Sequence, residues 1–319
     1  MALLTIKDLS IGYQTPRGQL KAVEGVSFSL EAGQSLGLVG ESGCGKTTIG
    51  MALMGLLPEN GRVSGGSILL EGRDLVTTPE DEMRKIRWSQ VAMIFQAAMN
   101  ALNPVQRVCD QMAEAILVHR PEVGRREAME RVAELFDLVD LDRARMRDYP
   151  HQYSGGMKQR AIIAMALANQ PRLIIADEPT TALDVVVQDQ ILEEIKRLQG
   201  KLNLGIIFIS HDISIVEQMC HFIGVMYAGQ LVESGTAREV FERPMHPYTQ
   251  ALIDSFPTLT GDKRLNPIPG EPPDLVGEIP GCRFCDRCPK PESSCRLEPP
   301  AWQEITPTHH VLCDHCEDY

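Results

Sequence analysis

The sequence predicts an α/β fold, in which buried parallel strands carry ligand-binding residues at their carboxyl ends. Three observations predict it. An apolar strand at residues 35–39 runs into a glycine-rich turn that a helix follows. Two further apolar strands, at residues 173–176 and 205–210, run into an acidic pair and a histidine. Polar residues at three strand ends indicate a ligand site at one edge of a sheet.

The glycine-rich turn at residues 40–48 reads Gly-Glu-Ser-Gly-Cys-Gly-Lys-Thr-Thr, the pattern of a phosphate-binding loop. Its glycines let backbone N–H groups close around phosphate oxygens, and the helix N-terminus adds partial positive charge. Lys46 is expected to reach the β- and γ-phosphates, and Thr47 to place its hydroxyl on Mg²⁺. The residues predicted to bind nucleotide here are Gly40, Ser42, Gly43, Cys44, Gly45, Lys46, Thr47 and Thr48.

Composition restricts the class of protein. A chain of 319 residues allows one large domain or two modest ones, and 43% hydrophobic with 23% charged residues is typical of a folded soluble protein. The net charge of −12 argues against a general nucleic-acid binder. We find neither an apolar run long enough to span a membrane nor a secretory pattern at the N-terminus. We therefore expect a cytoplasmic protein with reduced thiols.

The N-terminal segment is predicted to form a small antiparallel sheet. Residues 4–9 and 21–30 have the composition of strands around a turn at residues 15–18, and residues 65–74 form a further arm between glycines. Tyr13 follows the first arm. A lone tyrosine is usually packed in a core, but its ring also offers a flat face to a base.

The middle of the chain changes from strand to helix. Residues 91–95 form another buried strand that ends at Gln96, and residues 97–147 have a helical pattern. Pro121 and Gly124 mark the start of a helix. Its apolar positions recur at intervals of three and four, which predicts one buried face made by Met129, Val132, Ala133, Phe136 and Val139.

A second anion-receptive helix start is predicted at residues 153–160. Ser154, Gly155 and Gly156 precede a helix expected at residues 161–168. This segment therefore offers another group of backbone N–H donors to a phosphate.

The acidic pair and the histidine at the strand ends are the candidate catalytic residues. Asp177 is placed to hold Mg²⁺, directly or through water, and Glu178 to polarise a water as general base. A lone histidine is more often structural, but His211 again ends a strand at the expected ligand edge, which favours a functional role.

These motifs, in this order, resemble the ATP-binding subunits of ABC transporters over residues 3–260. Residues 40–48 resemble the Walker A loop, and residues 173–178 resemble the Walker B strand. Residues 154–159 look like the family signature, although Tyr153 and Met157 stand where Leu and Gln are commoner. Since no residue expected to touch phosphate, metal or water is lost, the resemblance implies a competent ATPase.

The remaining landmarks of the family are also matched. Gln96 is similar to the Q-loop glutamine. The resemblance implies that Gln96 is a catalytic residue and that it binds Mg²⁺ together with Thr47 and Asp177. Residues 182–184 resemble the D-loop and His211 the switch histidine. Tyr13 is similar to the aromatic residue that stacks on adenine. The resemblance implies that two such subunits sandwich ATP and that residues 97–104 meet a membrane subunit.

The resemblance also implies a domain organisation. Residues 1–98 and 160–243 are expected to form a RecA-like nucleotide-binding core with an N-terminal antiparallel β subdomain. Residues 99–159 are expected to form a helical subdomain that ends in the signature, and residues 244–319 a loop-rich C-terminal extension.

The six cysteines after position 280 suggest a metal site, since thiols in a reducing compartment bind metals before they form disulfides. Cys282, Cys285 and Cys288 are spaced as in a ferredoxin, but the next spacing, to Cys295, is six residues and not three. Structural zinc and free thiols are the alternatives. Thirteen of the 21 prolines also follow position 243, which predicts a loop-built tail that needs a staple.

Residues 243–252 and this cysteine pattern resemble the dipeptide, oligopeptide and nickel branch of ABC importers. The branch carries a [4Fe–4S] cluster at the positions that match Cys282, Cys288, Cys295 and Cys313. Cys285 and Cys316 depart from the pattern and are possible substitutes. The cluster is expected to be mainly structural, and a redox-sensing role that gates the ATPase is the further hypothesis.

The branch implies an ATPase that powers uptake of di- or oligopeptides at the cytoplasmic face of the bacterial inner membrane. Its implied partners are two membrane permease subunits, an external solute-binding protein and a second ATPase subunit, a homologous chain being favoured over a second copy. Nickel, sugars or opines are alternative solutes. A soluble ABC protein acting on ribosomes or DNA is less favoured, because such proteins usually carry two cassettes or an inserted coiled coil.

Overall fold

The computed structural model describes residues 2–96, 101–181, 183–255 and 268–316. The chain divides into two compact units. The first comprises residues 1–30, 35–77 and 208–319, and the second comprises residues 31–34 and 78–207. The phosphate loop and the C-terminal tail therefore belong to the first unit, whereas the signature and the acidic pair belong to the second.

The described residues form twelve strands. In chain order they are β1 (Leu4–Thr15), β2 (Gly18–Leu30), β3 (Ser35–Val39), β4 (Gly61–Leu70), β5 (Arg73–Asp74), β6 (Val91–Ile94), β7 (Leu173–Asp177), β8 (Gly205–Ile209), β9 (Phe222–Tyr227), β10 (Gln230–Thr236), β11 (Trp302–Glu304) and β12 (His310–Leu312).

The same residues form nine α-helices. In chain order they are α1 (Lys46–Leu53), α2 (Glu80–Ile86), α3 (Val108–His119), α4 (Arg125–Leu138), α5 (Gly155–Ala166), α6 (Val185–Leu202), α7 (Ile213–Met219), α8 (Ala237–Glu242) and α9 (Pro247–Asp254). Within the described ranges, no helix combines the length and apolar composition that a membrane crossing needs.

The first unit contains the antiparallel sheet that the N-terminal sequence predicts. Its strands lie in the order β2-β1-β4-β5. The strands are longer than the pattern suggests, because β1 continues through Tyr13 to Thr15 and turns directly into β2 at Gly18. The Thr15 hydroxyl donates a 2.7 Å hydrogen bond to the Gly18 carbonyl and closes this turn.

A second set of strands in the first unit carries the phosphate loop. β3 and β9 pair in parallel, with Val39 opposite Val225, and β9 pairs antiparallel with β10. Ala228 and Gly229 join these two strands with positive φ angles of 47° and 86°, which suits the twist of a tight hairpin. All five residues of β3 are buried, as its apolar sequence predicts.

The second unit pairs β6 with β7 in parallel, so that Ile94 lies opposite Ala176. Helix α5 packs against β6 and also against α3, α4 and α6, but one predicted helix face is partly wrong. In α4, Val132 and Phe136 are buried as expected, whereas Met129 and Ala133 are only half-buried. The buried face of the helix is rotated to include two positions that the periodic pattern missed, Ala128 and Leu135.

The C-terminal tail contains short regular elements within a loop-rich segment. Helix α9 begins at Pro247, which is tolerated because the first position of a helix donates no intrahelical bond. Strand β12 pairs with β10, and β11 pairs with β12.

The tail also relies on buried polar contacts. Glu233 of β10 is fully buried and accepts from the Met245 and His246 N–H groups at 2.8 and 2.9 Å, and its carboxylate lies 2.7 Å from the His309 ring.

Candidate functional site

The phosphate loop connects β3 to α1 in the first unit, and its shape depends on glycine. Gly40 and Gly45 have φ angles of 147° and 105°, a region that side chains disfavour. A Cβ atom on Gly40 would lie 2.0 Å from the Met226 carbonyl oxygen, and one on Gly45 would lie 2.6 Å from that of Ala22. The backbone of the loop therefore approaches its neighbours more closely than any other residue type permits.

Lys46 begins α1 and its side chain lies across the loop. The buried ammonium donates hydrogen bonds to the carbonyl oxygens of Gly40 at 2.7 Å and Glu41 at 2.9 Å. Thr47 is exposed beside it, as are Ser42 and Gly43. No side chain caps this helix and its first turn holds no acid. The arrangement keeps backbone N–H groups and one ammonium together, which suits a phosphate chain and its Mg²⁺.

Tyr13 lies next to this loop. Its hydroxyl donates to the Thr48 hydroxyl at 3.4 Å, and its ring packs against Gly61, where a Cβ atom would approach within 2.6 Å. The residue is half-buried. A flat aromatic face beside a phosphate loop is the feature that an adenine base requires.

His211 lies in the same unit, at the end of the strand beside β3. The Ser210 N–H donates to the Leu38 carbonyl at 3.2 Å, which ties the end of β8 to β3. Asp212 accepts from the Ser214 N–H at 2.9 Å and thereby caps α7. His211 is exposed between these two fixed residues. The structure thus places His211 at the strand edge where the phosphate loop begins.

In the second unit, Gln96 and the acidic pair meet at the ends of two parallel strands. Gln96 follows β6 by two residues, and Glu178 follows β7 directly. The Gln96 side-chain amide donates a 2.6 Å hydrogen bond to the Glu178 carboxylate, which also accepts from the Thr181 hydroxyl at 3.0 Å. Asp177, the last residue of β7, is 2% exposed.

The backbone of Glu178 is strained. Its φ of 48° lies in the left-handed region, which non-glycine residues rarely occupy outside turns and functional sites. The conformation turns the chain sharply after β7 and leaves the carboxylate between Gln96 and Thr181.

The signature segment caps a helix, with one correction to the prediction. Helix α5 begins at Gly155, six residues before the predicted start, so that both glycines lie inside its first turn. The Ser154 hydroxyl accepts the Met157 N–H at 3.3 Å and forms the N-cap. Tyr153 is buried, and its hydroxyl donates to the Arg145 carbonyl at 2.9 Å. The unusual tyrosine therefore packs beneath the signature without altering its exposed surface.

Two predicted segments are only partly described. Residues 97–100 of the expected membrane-facing segment 97–104, and Ala182 of the expected D-loop, lie outside the described residues. Asp184 of that loop accepts the Val187 N–H at 3.0 Å and caps α6.

The cysteines of the tail converge on one small cavity of about 20 Å³ in the first unit. Five of the six predicted thiols line it, namely Cys282, Cys285, Cys288, Cys295 and Cys313. Cys316 does not and instead packs in a core with Met245 and Val311. In the described part of the chain, no three His, Cys, Asp or Glu side chains form a group arranged to hold a metal ion.

Burial disfavours the thiolate form of two of these thiols. It raises the pKa of Cys282 to about 11 and that of Cys313 to about 12. Thiolates are the form that binds metal, so that binding at this cavity would release protons. Thiols gathered around one cavity are the donors that an iron–sulfur cluster or zinc uses.

Sequence reasoning missed three residues at the phosphate loop. Glu41 lies inside the loop, and its partners Tyr248 and Arg287 come from the C-terminal tail. The hydrogen bonds from Arg287 to Glu41 raise the pKa of the guanidinium above its usual range. The only signal in the sequence was Glu41 itself, a charged residue in an otherwise small and polar loop. That signal does not predict a partner 246 positions away.

Comparison with known proteins agrees with this geometry. Residues 23–181 match the ABC transporter family profile, and residues 232–295 match that of the oligopeptide/dipeptide transporter C-terminal region. The chain is 46% identical to the oligopeptide transport ATP-binding protein OppD of Escherichia coli, covering 98% of this chain and 93% of that protein. It is 44% identical to the dipeptide transport ATP-binding protein DppD of Lactococcus lactis, covering 96% and 89%.

A solved structure extends the likeness to three dimensions. The dimeric ATP-binding cassette MJ0796, in a post-hydrolysis state bound to ADP and Pi, superimposes with a TM-score of 0.66 at 25% identity. The match covers 74% of this chain and 99% of the cassette. By its sequence, its fold and its phosphate loop, the chain belongs to the ATP-binding subunits, the ATPases, of the ABC transporter family.

Proposed function

We propose that the chain hydrolyses ATP to power the import of di- or oligopeptides through a separate membrane permease. The observation that carries this proposal is the near full-length similarity to peptide-transport ATPases, which extends through the tail as well as the cassette. Nickel, sugars and opines remain the alternative solutes, since the solute is selected by other subunits of such a transporter.

ATP binding is assigned to the first unit. Residues 40–48 bind the phosphates, Lys46 compensates the charge of the β- and γ-phosphates, and Tyr13 stacks on the base. The close backbone approaches of Gly40 and Gly45 and the Lys46 ammonium beside the loop support this role. Mg²⁺, which would neutralise phosphate charge, is assigned to Thr47, Gln96 and Asp177.

Hydrolysis is assigned to Glu178, Gln96 and His211. Glu178 accepts a proton from the attacking water as general base, and Gln96 orients its carboxylate. The 2.6 Å hydrogen bond between these two side chains supports the pairing. His211 acts on the γ-phosphate. Ser154, Gly155 and Gly156 present their N–H groups to the ATP held by a second ATPase subunit.

The remaining partners follow from the same family. We assign two permease subunits, an external solute-binding protein and a homologous second ATPase chain, at the cytoplasmic face of the bacterial inner membrane. In this organisation residues 1–98 and 160–243 form the nucleotide-binding core, residues 99–159 the helical subdomain and residues 244–319 the extension.

We assign a [4Fe–4S] cluster to the tail, with Cys282, Cys288, Cys295 and Cys313 as ligands. All four line one cavity together with Cys285, which is the remaining candidate substitute. Cys316 is less suited, because it packs against Met245 and Val311. Zinc is the alternative metal, and iron, sulfide and zinc analysis of anaerobically purified protein separates the two. Cys288→Ser is expected to lose the metal and Cys316→Ser to keep it.

Peptide uptake in cells tests the transport function. Cells that lack this chain are expected to lose uptake of a labelled tripeptide and to recover it with the natural chain but not with Lys46→Ala. A strain that retains peptide uptake but loses nickel, sugar or opine uptake would transfer the assignment to that solute. A strain with no uptake defect would contradict the import function.

A further inference from the structure

Glu41 of the phosphate loop is held at three points, and two of them belong to the C-terminal tail. Its carbonyl accepts from the Lys46 ammonium at 2.9 Å within the loop. Its N–H donates to the Tyr248 hydroxyl at 2.9 Å. Its carboxylate accepts both terminal nitrogens of Arg287, at 2.7 and 2.8 Å. A bidentate guanidinium–carboxylate pair fixes orientation as well as position.

Arg287 is itself held rigidly. Its side chain is 4% exposed, and its Nε donates to the Pro269 carbonyl at 2.8 Å. Its guanidinium carbon lies 5.6 Å from the centre of the Tyr227 ring, whose hydroxyl accepts at 3.2 Å. A fully exposed ion pair contributes little, but here the guanidinium is buried and the Glu41 side chain is only 27% exposed. The several partners of the guanidinium fix its orientation.

Both tail contacts depend on the segment that carries the cysteines, residues 282–296, which we call the cysteine loop. Arg287 lies between Cys285 and Cys288, two residues that line the thiol cavity. The fully buried ring of Phe284 packs against Tyr248 with a centroid distance of 5.4 Å. The cysteine loop therefore supplies one contact to Glu41 directly and supports the other.

Glu41 is also an electrostatic liability for the site. A carboxylate within a loop that receives phosphates opposes their binding, unless a nearby cation neutralises it. Arg287 provides that cation from outside the loop and leaves Lys46 available for phosphate.

We propose that Arg287 and Tyr248 are positioning residues for nucleotide, through which the cysteine loop clamps the phosphate loop and sets its affinity for ATP. The proposal rests on the proposed ATP site. The tail then has a role in nucleotide binding in addition to the buried contacts that join its own segments. The conformation of the cysteine loop becomes a determinant of ATP affinity.

The test is ATP binding to the full-length chain by titration calorimetry, with thermal unfolding measured in parallel. Arg287→Gln is expected to weaken ATP binding about tenfold, and Tyr248→Phe about threefold. Arg296→Gln is the matched control, since Arg296 pairs with Asp286 in the same cysteine loop with both side chains at least 60% exposed. It is expected to bind ATP as the natural chain does.

A double substitution separates charge compensation from folding. Adding Glu41→Gln to Arg287→Gln removes the uncompensated carboxylate and is expected to restore affinity to that of Glu41→Gln alone. A merely structural Arg287 predicts a lower melting temperature with an unchanged ATP dissociation constant. If Arg287→Gln does not fold, Tyr248→Phe decides, because it removes one hydroxyl and keeps the ring.

The possible failures are distinguishable. If the natural chain does not bind ATP, or binds it equally well after Lys46→Ala, the proposed ATP site is wrong. If the natural chain binds ATP in a Lys46-dependent way while folded Arg287→Gln and Tyr248→Phe bind it with unchanged affinity, the clamp is overturned and the ATPase assignment stands.

Discussion

The nucleotide-binding residues and the C-terminal tail use polar side chains in opposite ways. At the phosphate loop, backbone conformation makes the shape, through glycines that approach neighbouring carbonyls, and side chains such as Lys46 and Thr47 are available for chemistry. In the tail, buried side chains such as Glu233 join segments that have little regular structure of their own. We therefore expect the same residue types to serve nucleotide chemistry in one region and stability in the other.

The difference teaches where a substitution should act. An exposed polar residue at the ligand edge, such as Thr47, is expected to contribute chemistry and little folding energy, because few partners lose a hydrogen bond when it is replaced. A polar residue that satisfies several buried partners contributes stability, because its loss leaves each partner unpaired. The following predictions test this difference. It would be contradicted if the strand-end substitution lowered stability and the tail substitution lowered ATP hydrolysis instead.

The largest effect is expected for Glu178→Gln. The amide cannot accept the proton of water, so hydrolysis should fall by about a thousandfold while ATP binding and the melting temperature stay close to those of the natural chain. Phosphate release and ATP titration measure the two quantities. Glu193→Gln, an exposed acid on α6, is the control and should hydrolyse ATP normally. Near-normal turnover of Glu178→Gln would contradict its role as base.

The next effect is expected for Glu233→Ala. The change leaves the Met245 and His246 N–H groups and the His309 ring without their buried acceptor, which should cost about 3–5 kcal/mol of unfolding free energy. Urea unfolding measures the loss, and limited proteolysis should show cleavage in the tail. The control is Glu242→Ala, which removes an exposed ion pair with Arg238. It should lower the unfolding free energy by less than about 1 kcal/mol. Equal losses in both variants would refute the anchoring role.

The smallest effect is expected for Glu194→Gln in the second unit. Burial raises the pKa of Glu194 to about 7 against the opposing charge of Arg160. A carboxyl whose pKa is raised on folding favours the folded state fully below its unfolded pKa, and this contribution is lost as pH rises through 7. The natural chain should therefore lose about 2–3 kcal/mol of unfolding free energy between pH 4.5 and 8, relative to Glu194→Gln. Urea unfolding between pH 4.5 and 8 measures this loss. The control Glu193→Gln should show the same pH dependence of unfolding free energy as the natural chain.

The sequence predicts well those parts of the site that depend on consecutive residues. The phosphate loop, the Ser154 cap and the Asp177–Glu178 strand end each combine a short pattern with the strand or helix beside it, so local physics locates them. The Gln96–Glu178 contact was not predicted, because it depends on β6 and β7 being parallel neighbours, which the sequence does not give.

The sequence does not predict contacts that depend on distant segments. Nothing local pairs Glu41 with Arg287 or Glu233 with His309, since their separations of 246 and 76 residues are bridged only by the finished fold. The periodic pattern of α4 also misplaced Met129 and Ala133, because periodicity shows that a face exists but not which apolar residues border its edge. Helix α9 was missed because its proline lies at the one helical position that tolerates it.

The link between Glu41 and Arg287 also orders events in time. Arg287 follows Glu41 by 246 residues along the chain, so the ribosome adds Arg287 later. At about 5–20 residues per second, the loop waits about 12 to 50 s for this partner to be synthesised. Strands β1 to β10 and helices α1 to α9 are thus all synthesised before the phosphate loop acquires this support, and of the described strands only β11 and β12 follow it. A nascent chain that stops before residue 287 would contain every nucleotide-binding motif but would lack Arg287, the residue proposed to position the phosphate loop.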